Sequence, residues 1–329
     1  MKQAKQWLWA LIPIAVIIIL LTAWLNMYTI YNWYVVQSYT PSSDIVSLAE
    51  NSGMNDTGKN LFYAHVPKLT EKEEFNAVCT TGEESIVLGC YTGFDLSRDS
   101  DIFVYNVTKP ELAGIKEVTA AHEMLHAAYE QLSASEQEKV DEMVLSTYQK
   151  INNPRVKKLV EGYQKQNPNN PSVIANELHS ILATEVRTLG AELEQYYSTY
   201  FSDRSKVVAL SEAYESVFTA KEAESERLSG EISLRKSEID QLKVSLESQN
   251  SELDSLSQKM NSYLNSGNNS AYNALVPVYN QNANQYNTDL AQVNRLIDET
   301  NALINQINDN VVQQQELINS IDSKYQPAQ

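Results

Sequence analysis

The chain has 329 residues, 43% of them hydrophobic, which suits roughly two folded units with real cores. Its formal net charge of -17 repels phosphate backbones and speaks against nucleic acid as a partner. Acidity of this kind bears on solubility and partners and leaves the fold open.

In chain order, Lys2 and Lys5 precede a charge-free run from Gln6 to Ser43 whose core, Trp7 to Trp24, is rich in Leu, Ile, Val and Ala. A hydrocarbon slab of ~30 Å takes ~20 apolar helical residues, so this run predicts a transmembrane helix. Trp7, Trp9, Trp24, Tyr28, Tyr31 and Trp33 flank its centre as interfacial aromatics do, and the two lysines predict a cytoplasmic N-terminus with the rest outside. A cleaved signal peptide is the competing reading. Leu25-Asn26-Met27-Tyr28 follows the apolar core without a small-x-small site, so residues 1–37 are expected to remain as an anchor. Residues 38–60, rich in Ser, Asn, Asp and Gly, are expected to be a juxtamembrane linker.

Cys79 and Cys90 are the two cysteines. In an extracytoplasmic domain a disulfide stapling a hairpin about Gly82 is expected, with two buried free thiols as the alternative. No nearby histidines complete a metal site with them. Ser85–Tyr91 and Asp101–Val107 read as strands. Thr108 with Glu111 then fits a capping box, Pro110 fits a first turn, and Gly114 defers regular helix to Ile115. Ile115, Val118, His122, Leu125 and Tyr129 recur on one helical face. A second capping box, Ser135 with Glu138, opens a further helix. Asn167–Pro171 is a loop, a helix starts near Ser172, and another covers Leu193 to about Lys221.

From about Leu228 a heptad sets in. Ile232, Ile239, Leu246, Leu253 and Met260 form one row, with Leu242, Leu256 and Tyr263 in its companion and Arg235 and Gln249 as polar exceptions. After the turn Asn265–Ser270, Tyr279, Tyr286, Val293, Thr300 and Ile307 make a second row. Its companion is read as Ala283, Leu290, Ile297, Ile304 and Val311. Residues 222–325 are therefore expected to fold back as an antiparallel coiled-coil hairpin. The fold class expected is α+β, mainly helical.

The chemistry concentrates in His122-Glu123-Met124-Leu125-His126. Two histidines four apart on a helix share a face one turn apart, suited to two ligands of one tetrahedral zinc. Glu123 points to the neighbouring side, where its carboxylate can take a proton from water without ligating the metal.

This motif resembles H-E-x-x-H of the zincin metallopeptidases, a resemblance that covers roughly residues 60–205, within an expected domain of residues 61–221. It implies a zincin-like catalytic domain with a small sheet, the strand Ile102–Tyr105 as the substrate-binding edge, a Zn2+ cofactor, and hydrolysis of peptide bonds by zinc-activated water with Glu123 as general base. Tyr129 and Leu132 stand where a metzincin continues its motif, and the longer spacing of thermolysin-like enzymes reaches Leu145 and Ser146, so neither class supplies the third ligand. Glu177, in Asn176-Glu177-Leu178-His179, resembles the distant helical glutamate of gluzincins. It looks most like the lethal-factor and glucose-phosphotransferase-regulator type, where a second glutamate follows, here Glu185. On the wheel Glu185 lies nearer the middle of the apolar face and Glu177 at its edge. Glu177 is the favoured ligand, with Glu185 as alternative ligand or supporting carboxylate and His179 as a further alternative. Tyr197 and Tyr200 are candidates for holding an oxyanion, beside the reading that they simply pack their helix.

The sum is a single-pass membrane protein with an extracytoplasmic zinc peptidase domain acting on proteins or peptides. Its hairpin either recognises a protein partner or acts as a spacer. The alternative is a non-enzymatic surface adaptor in which the hairpin does the work and the zinc site is structural or vestigial. An intramembrane protease is set aside, because Lys116, Glu117 and Glu130 surround the motif and the chain has no second long apolar run.

Overall fold

The computed structural model describes residues 14–24, 26–79, 86–93, 101–168 and 170–325. It is mainly helical with one small sheet. The described residues fall into two compact units. One holds those up to Val217 together with those from Leu317, and the other is Phe218–Glu316.

The first unit begins with α1 (Ile14–Trp24) and α2 (Met27–Ser38). Residues 1–13 of the expected anchor lie outside the described residues. Among the described residues no single helix is long and apolar enough to cross a membrane; α1 and α2 meet that criterion only as a pair, bent by 67° at their break.

The stretch expected as a linker is instead structured. Helix α3 (Ser43–Asn51) starts at Ser42, whose Oγ accepts from Ile45 N, and α4 (Asp56–Ala64) starts at Asn55, whose side chain accepts from Gly58 N. Ile45, Leu48, Ala49, Met54 and Phe62 are buried. The Ser, Asn and Gly that suggested a linker are the caps and turns between two short helices whose apolar faces enter the core.

Strand β1 (Lys68–Thr70), helix α5 (Lys72–Val78) and strands β2 (Gly89–Tyr91) and β3 (Ile102–Tyr105) follow. The sheet order is β1-β3-β2, with β1 parallel and β2 antiparallel to β3. Ile102–Tyr105 is therefore the central strand and not the edge that was expected; Ile102, Phe103 and Val104 are buried, as a central strand requires. Cys79 and Cys90 form a disulfide across a Cα separation of 5.8 Å. It ties the end of α5 to β2 rather than closing a two-stranded hairpin, and Gly82 lies outside the described residues.

A short 3-10 turn at Pro110–Leu112 leads to Gly114, whose φ of 97° favours glycine, and then to α6 (Ile115–Glu130). No Thr108 cap forms; Lys109 precedes the turn. The capping box of α7 (Ala134–Lys150) is Ser133 with Glu136, two residues before the pair expected. Helices α8 (Pro154–Gln166) and α9 (Pro171–Glu185) each carry proline in the first turn, where its missing N–H costs nothing. The expected helix from Leu193 is broken: α10 (Ala191–Tyr197) stops, and α11 (Ser205–Asn265) begins after Asp203, whose carboxylate accepts from Ser205 N. The core of this unit centres on α6 and α9, with Met124, Leu125, Leu178, Ile181 and Leu182 fully buried.

The second unit is formed by the stretches of α11 and α12 (Asn269–Ile321) that lie between Phe218 and Glu316. They run antiparallel, since Asn310 bonds Lys221 and Ser225, Arg235 pairs with Glu299, and Gln249 bonds Asp289. Ile239, Leu246, Val293 and Leu296 form the apolar cluster between them. On α12 the row through Tyr286, Val293 and Thr300 faces inward, but its companion is displaced by one residue. Leu296, Asn310 and Leu317 are buried, whereas Leu290 is 37% and Val311 53% exposed. Polar residues at 289 and 310 disguised the true row, because each is matched by a polar partner on α11 rather than by an apolar one.

Candidate metal centre

Helix α6 brings His122 and His126 onto one face, with ring centroids 4.8 Å apart at 76°. Glu177 reaches them from α9: its Oε2 lies 3.6 Å from His122 Nε2 and its Oε1 3.8 Å from His126 Nε2. All three donor atoms lie within 4.8 Å of one another. Bonds of about 2.0–2.2 Å in tetrahedral zinc set donor atoms about 3.3 Å apart, so this set needs only a small contraction.

The surroundings fit a cation. Glu177 Oε2 is buried without a hydrogen-bond partner, which is costly for a carboxylate oxygen unless a positive centre faces it. Burial alone would raise the Glu177 carboxyl, but His122, His126 and the Tyr163 hydroxyl hold it below the usual range. His126 Nδ1–H donates to Asn176 Oδ1 at 3.0 Å, which fixes the tautomer and turns the Nε2 lone pair toward Glu177. Two imidazoles and one carboxylate form a donor set suited to a divalent transition-metal ion, zinc and iron(II) among them.

Glu123 occupies the adjoining side of α6 and is buried. Burial, first of all, pushes its carboxyl up to about 7; Glu177 adds to this, while His126 and the Tyr91 backbone N–H pull the other way. Strand β2 passes very close here. A Cβ at Gly89 would stand 2.5 Å from Thr119 Cγ2 and 2.7 Å from Glu123 Oε1, so glycine alone allows the approach. The disulfide at Cys90 and the Tyr91 N–H flank this contact on the same strand.

Other residues singled out in the sequence lie elsewhere. Glu185 pairs with Arg155, which also holds Glu215 at 2.7 Å, so its central place on the apolar face is explained by a half-buried ion pair and not by the metal set. His179 is fully buried, bonded through Nε2 to the Tyr196 hydroxyl at 2.9 Å, and burial drives its pKa down to about 3. Its Nε2 is spent inside an aromatic cluster with Tyr129, Tyr196 and Tyr197, and its Nδ1 is buried without a hydrogen-bond partner. Tyr197 donates to the His179 carbonyl at 2.7 Å, and Tyr200 meets Tyr196 edge to face with centroids 5.8 Å apart, so both serve that cluster rather than an oxyanion.

The tyrosine at the centre is Tyr163, which bonds Glu177 and feels Glu123 and Glu185 as negative neighbours; burial, then these contacts, raise its pKa well above the ordinary value. Its signal was present. Val156, Val160 and Tyr163 recur at helical spacing and mark the buried face of α8. His65 is also buried, with Nδ1 at 3.1 Å from Asp101 Oδ2. No family model, curated protein or solved structure matches the chain.

Proposed function

We propose that the chain is a membrane-anchored zinc metallopeptidase with its folded units outside the cytoplasm. The observation that carries this reading is the convergence of His122 Nε2, His126 Nε2 and a buried, unpartnered Glu177 oxygen on one point beside Glu123. Zinc held by these three residues would supply Lewis acidity, lowering the pKa of a water and polarising a scissile carbonyl.

The remaining work falls to the chain. Glu123 is buried beside the ligand set, on the same helix as both histidines, where its carboxylate can accept a proton from water and return it to a leaving amine. The Tyr91 N–H and the close contact at Gly89 hold that carboxylate in place. Asn176 orients His126, and Tyr163 orients Glu177. The substrate is a protein or peptide. The antiparallel α11–α12 pair is read as a coiled coil that presents the peptidase or engages a protein partner.

The test uses the full chain in detergent. About one zinc per chain is expected, lost in His122→Ala and Glu177→Ala. Cleavage of a peptide library should vanish in Glu123→Gln while zinc stays bound. Zinc retained with no turnover in the unaltered chain would favour the adaptor reading, and absence of zinc would end both versions of the site.

A further inference from the structure

Helix α2 has two unlike faces. Tyr28, Tyr31, Asn32, Val35 and Val36 are half-buried, and at 100° per residue they share one side. Asn32 Nδ2 donates to Gln131 Oε1 at 3.2 Å, and Gln131 Nε2 reaches His65 Nε2 at 3.4 Å, with Asp101 on the other ring nitrogen. The opposite side carries Met27 at 41%, Ile30 at 51%, and Trp33 and Tyr34 at 66% exposure each. Not one charge lies on the helix.

A protein exposing two aromatics and two aliphatics on one helix face needs something to cover them. The chain itself indicates lipid. The helix follows α1 in the chain, whose residues from Ile14 to Trp24 are all exposed and almost wholly apolar. Helix α2 is not an extension of a straight span, because it turns by 67° from α1 and is bonded through Asn32 to a unit carrying buried Asp101. Sinking it into hydrocarbon would take that polar cluster along, at a prohibitive desolvation cost. Its outer face, with Trp, Tyr, Met and Ile and no charge, is suited to the headgroup–acyl boundary.

We infer that α2 is an interfacial helix, lying flat on the outer leaflet with Met27, Ile30, Trp33 and Tyr34 in lipid and its other face bolted to the unit that bears the metal centre. This rests on the membrane-anchor part of the reading above and assigns α2 a role distinct from the span. Tyr28 and Tyr31 then belong to protein packing rather than to the lipid-facing aromatics.

Depth-dependent quenching tests it. The full chain with Trp7→Phe, Trp9→Phe and Trp24→Phe keeps Trp33 as its sole tryptophan. It is reconstituted in phosphatidylcholine vesicles whose bromines sit either near the headgroup end or near the tail end of the acyl chain. Trp33 should lose most of its emission to the shallow bromines and little to the deep ones, corresponding to burial of about 5–10 Å. Stronger quenching by the deep bromines would make α2 part of the span and overturn the inference. So would quenching by aqueous iodide alone, which puts the face in water, or shielding from both lipid and iodide, which puts a second copy over it. A companion chain keeping Trp9 alone separates the two levels. If Trp9 is quenched by lipid and Trp33 is not, only the role of α2 falls; if neither is, the anchor falls with it.

Discussion

Glu123 is a buried acid with a pKa of about 7, far above the ordinary carboxyl range. The folded, metal-free chain thus holds a proton there more tightly than the unfolded chain does. The stabilisation this gives is complete below about pH 4.5 and is lost as pH rises through about 7. Urea unfolding of the metal-free protein in detergent should show stability falling across that window, and Glu123→Gln should flatten the slope. At the ligands, Tyr163→Phe removes the hydroxyl that braces Glu177, and Asn176→Ala removes the acceptor that orients His126. Each should weaken zinc binding about 10–100-fold, read by competition with a chelator. The histidine pair and Glu123 were legible because their spacing alone fixes one helix face. Glu177 was legible only as one of several candidates, since wheel position could not show that Arg155 neutralises Glu185 or that Tyr196 occupies His179. Those distinctions depend on partners distant in sequence.

At the scale of elements, the disulfide binds α5 to β2, and β2 in turn supports Glu123. The bridge spans a sequence separation of 11, and closing so short a loop is worth about 3 kcal/mol. Cys79→Ser with Cys90→Ser should lower the unfolding free energy by about that amount in denaturant titrations and should reduce peptide cleavage as well. On α12, Asn310 is buried and bonds the Lys221 carbonyl and Ser225 Oγ, both at 2.7 Å. Such a polar group in an apolar seam fixes alignment at some expense of stability. Asn310→Leu should raise the thermal midpoint, while paired cysteines placed one heptad out of register should begin to cross-link. The apolar positions of α11 at Ile239, Leu242 and Leu246 were readable because polar exceptions among them, Arg235 and Gln249, were few. The return row was misread by one position because polar matches between the two helices look, in one strand of sequence, like surface.

For the whole molecule, the consequence reaches the N-terminal third. The region read as anchor and linker contributes α2, α3 and the start of α4, and Ile45 and Leu48 are among the buried residues. Short helices with many caps carry too few apolar positions for periodicity to reveal them, which is why composition alone suggested a tether. A chain beginning at Ser42 would uncover the surface of α4 on which α2 packs and would leave Gln131 without Asn32. It should melt several degrees below one beginning at Asn26, by circular dichroism, although both contain His122, His126 and Glu177.

The approach of β2 to Glu123 has a corollary for variation. Every other amino acid would bring at least a methyl group to position 89, where no room for one exists. A saturation scan scored by peptide cleavage should therefore rank Gly89 beside the two imidazoles in intolerance, although it supplies neither a ligand nor a proton. A search for kin of this protein gains more from demanding that hydrogen-only site next to the histidine pair than from the pair by itself.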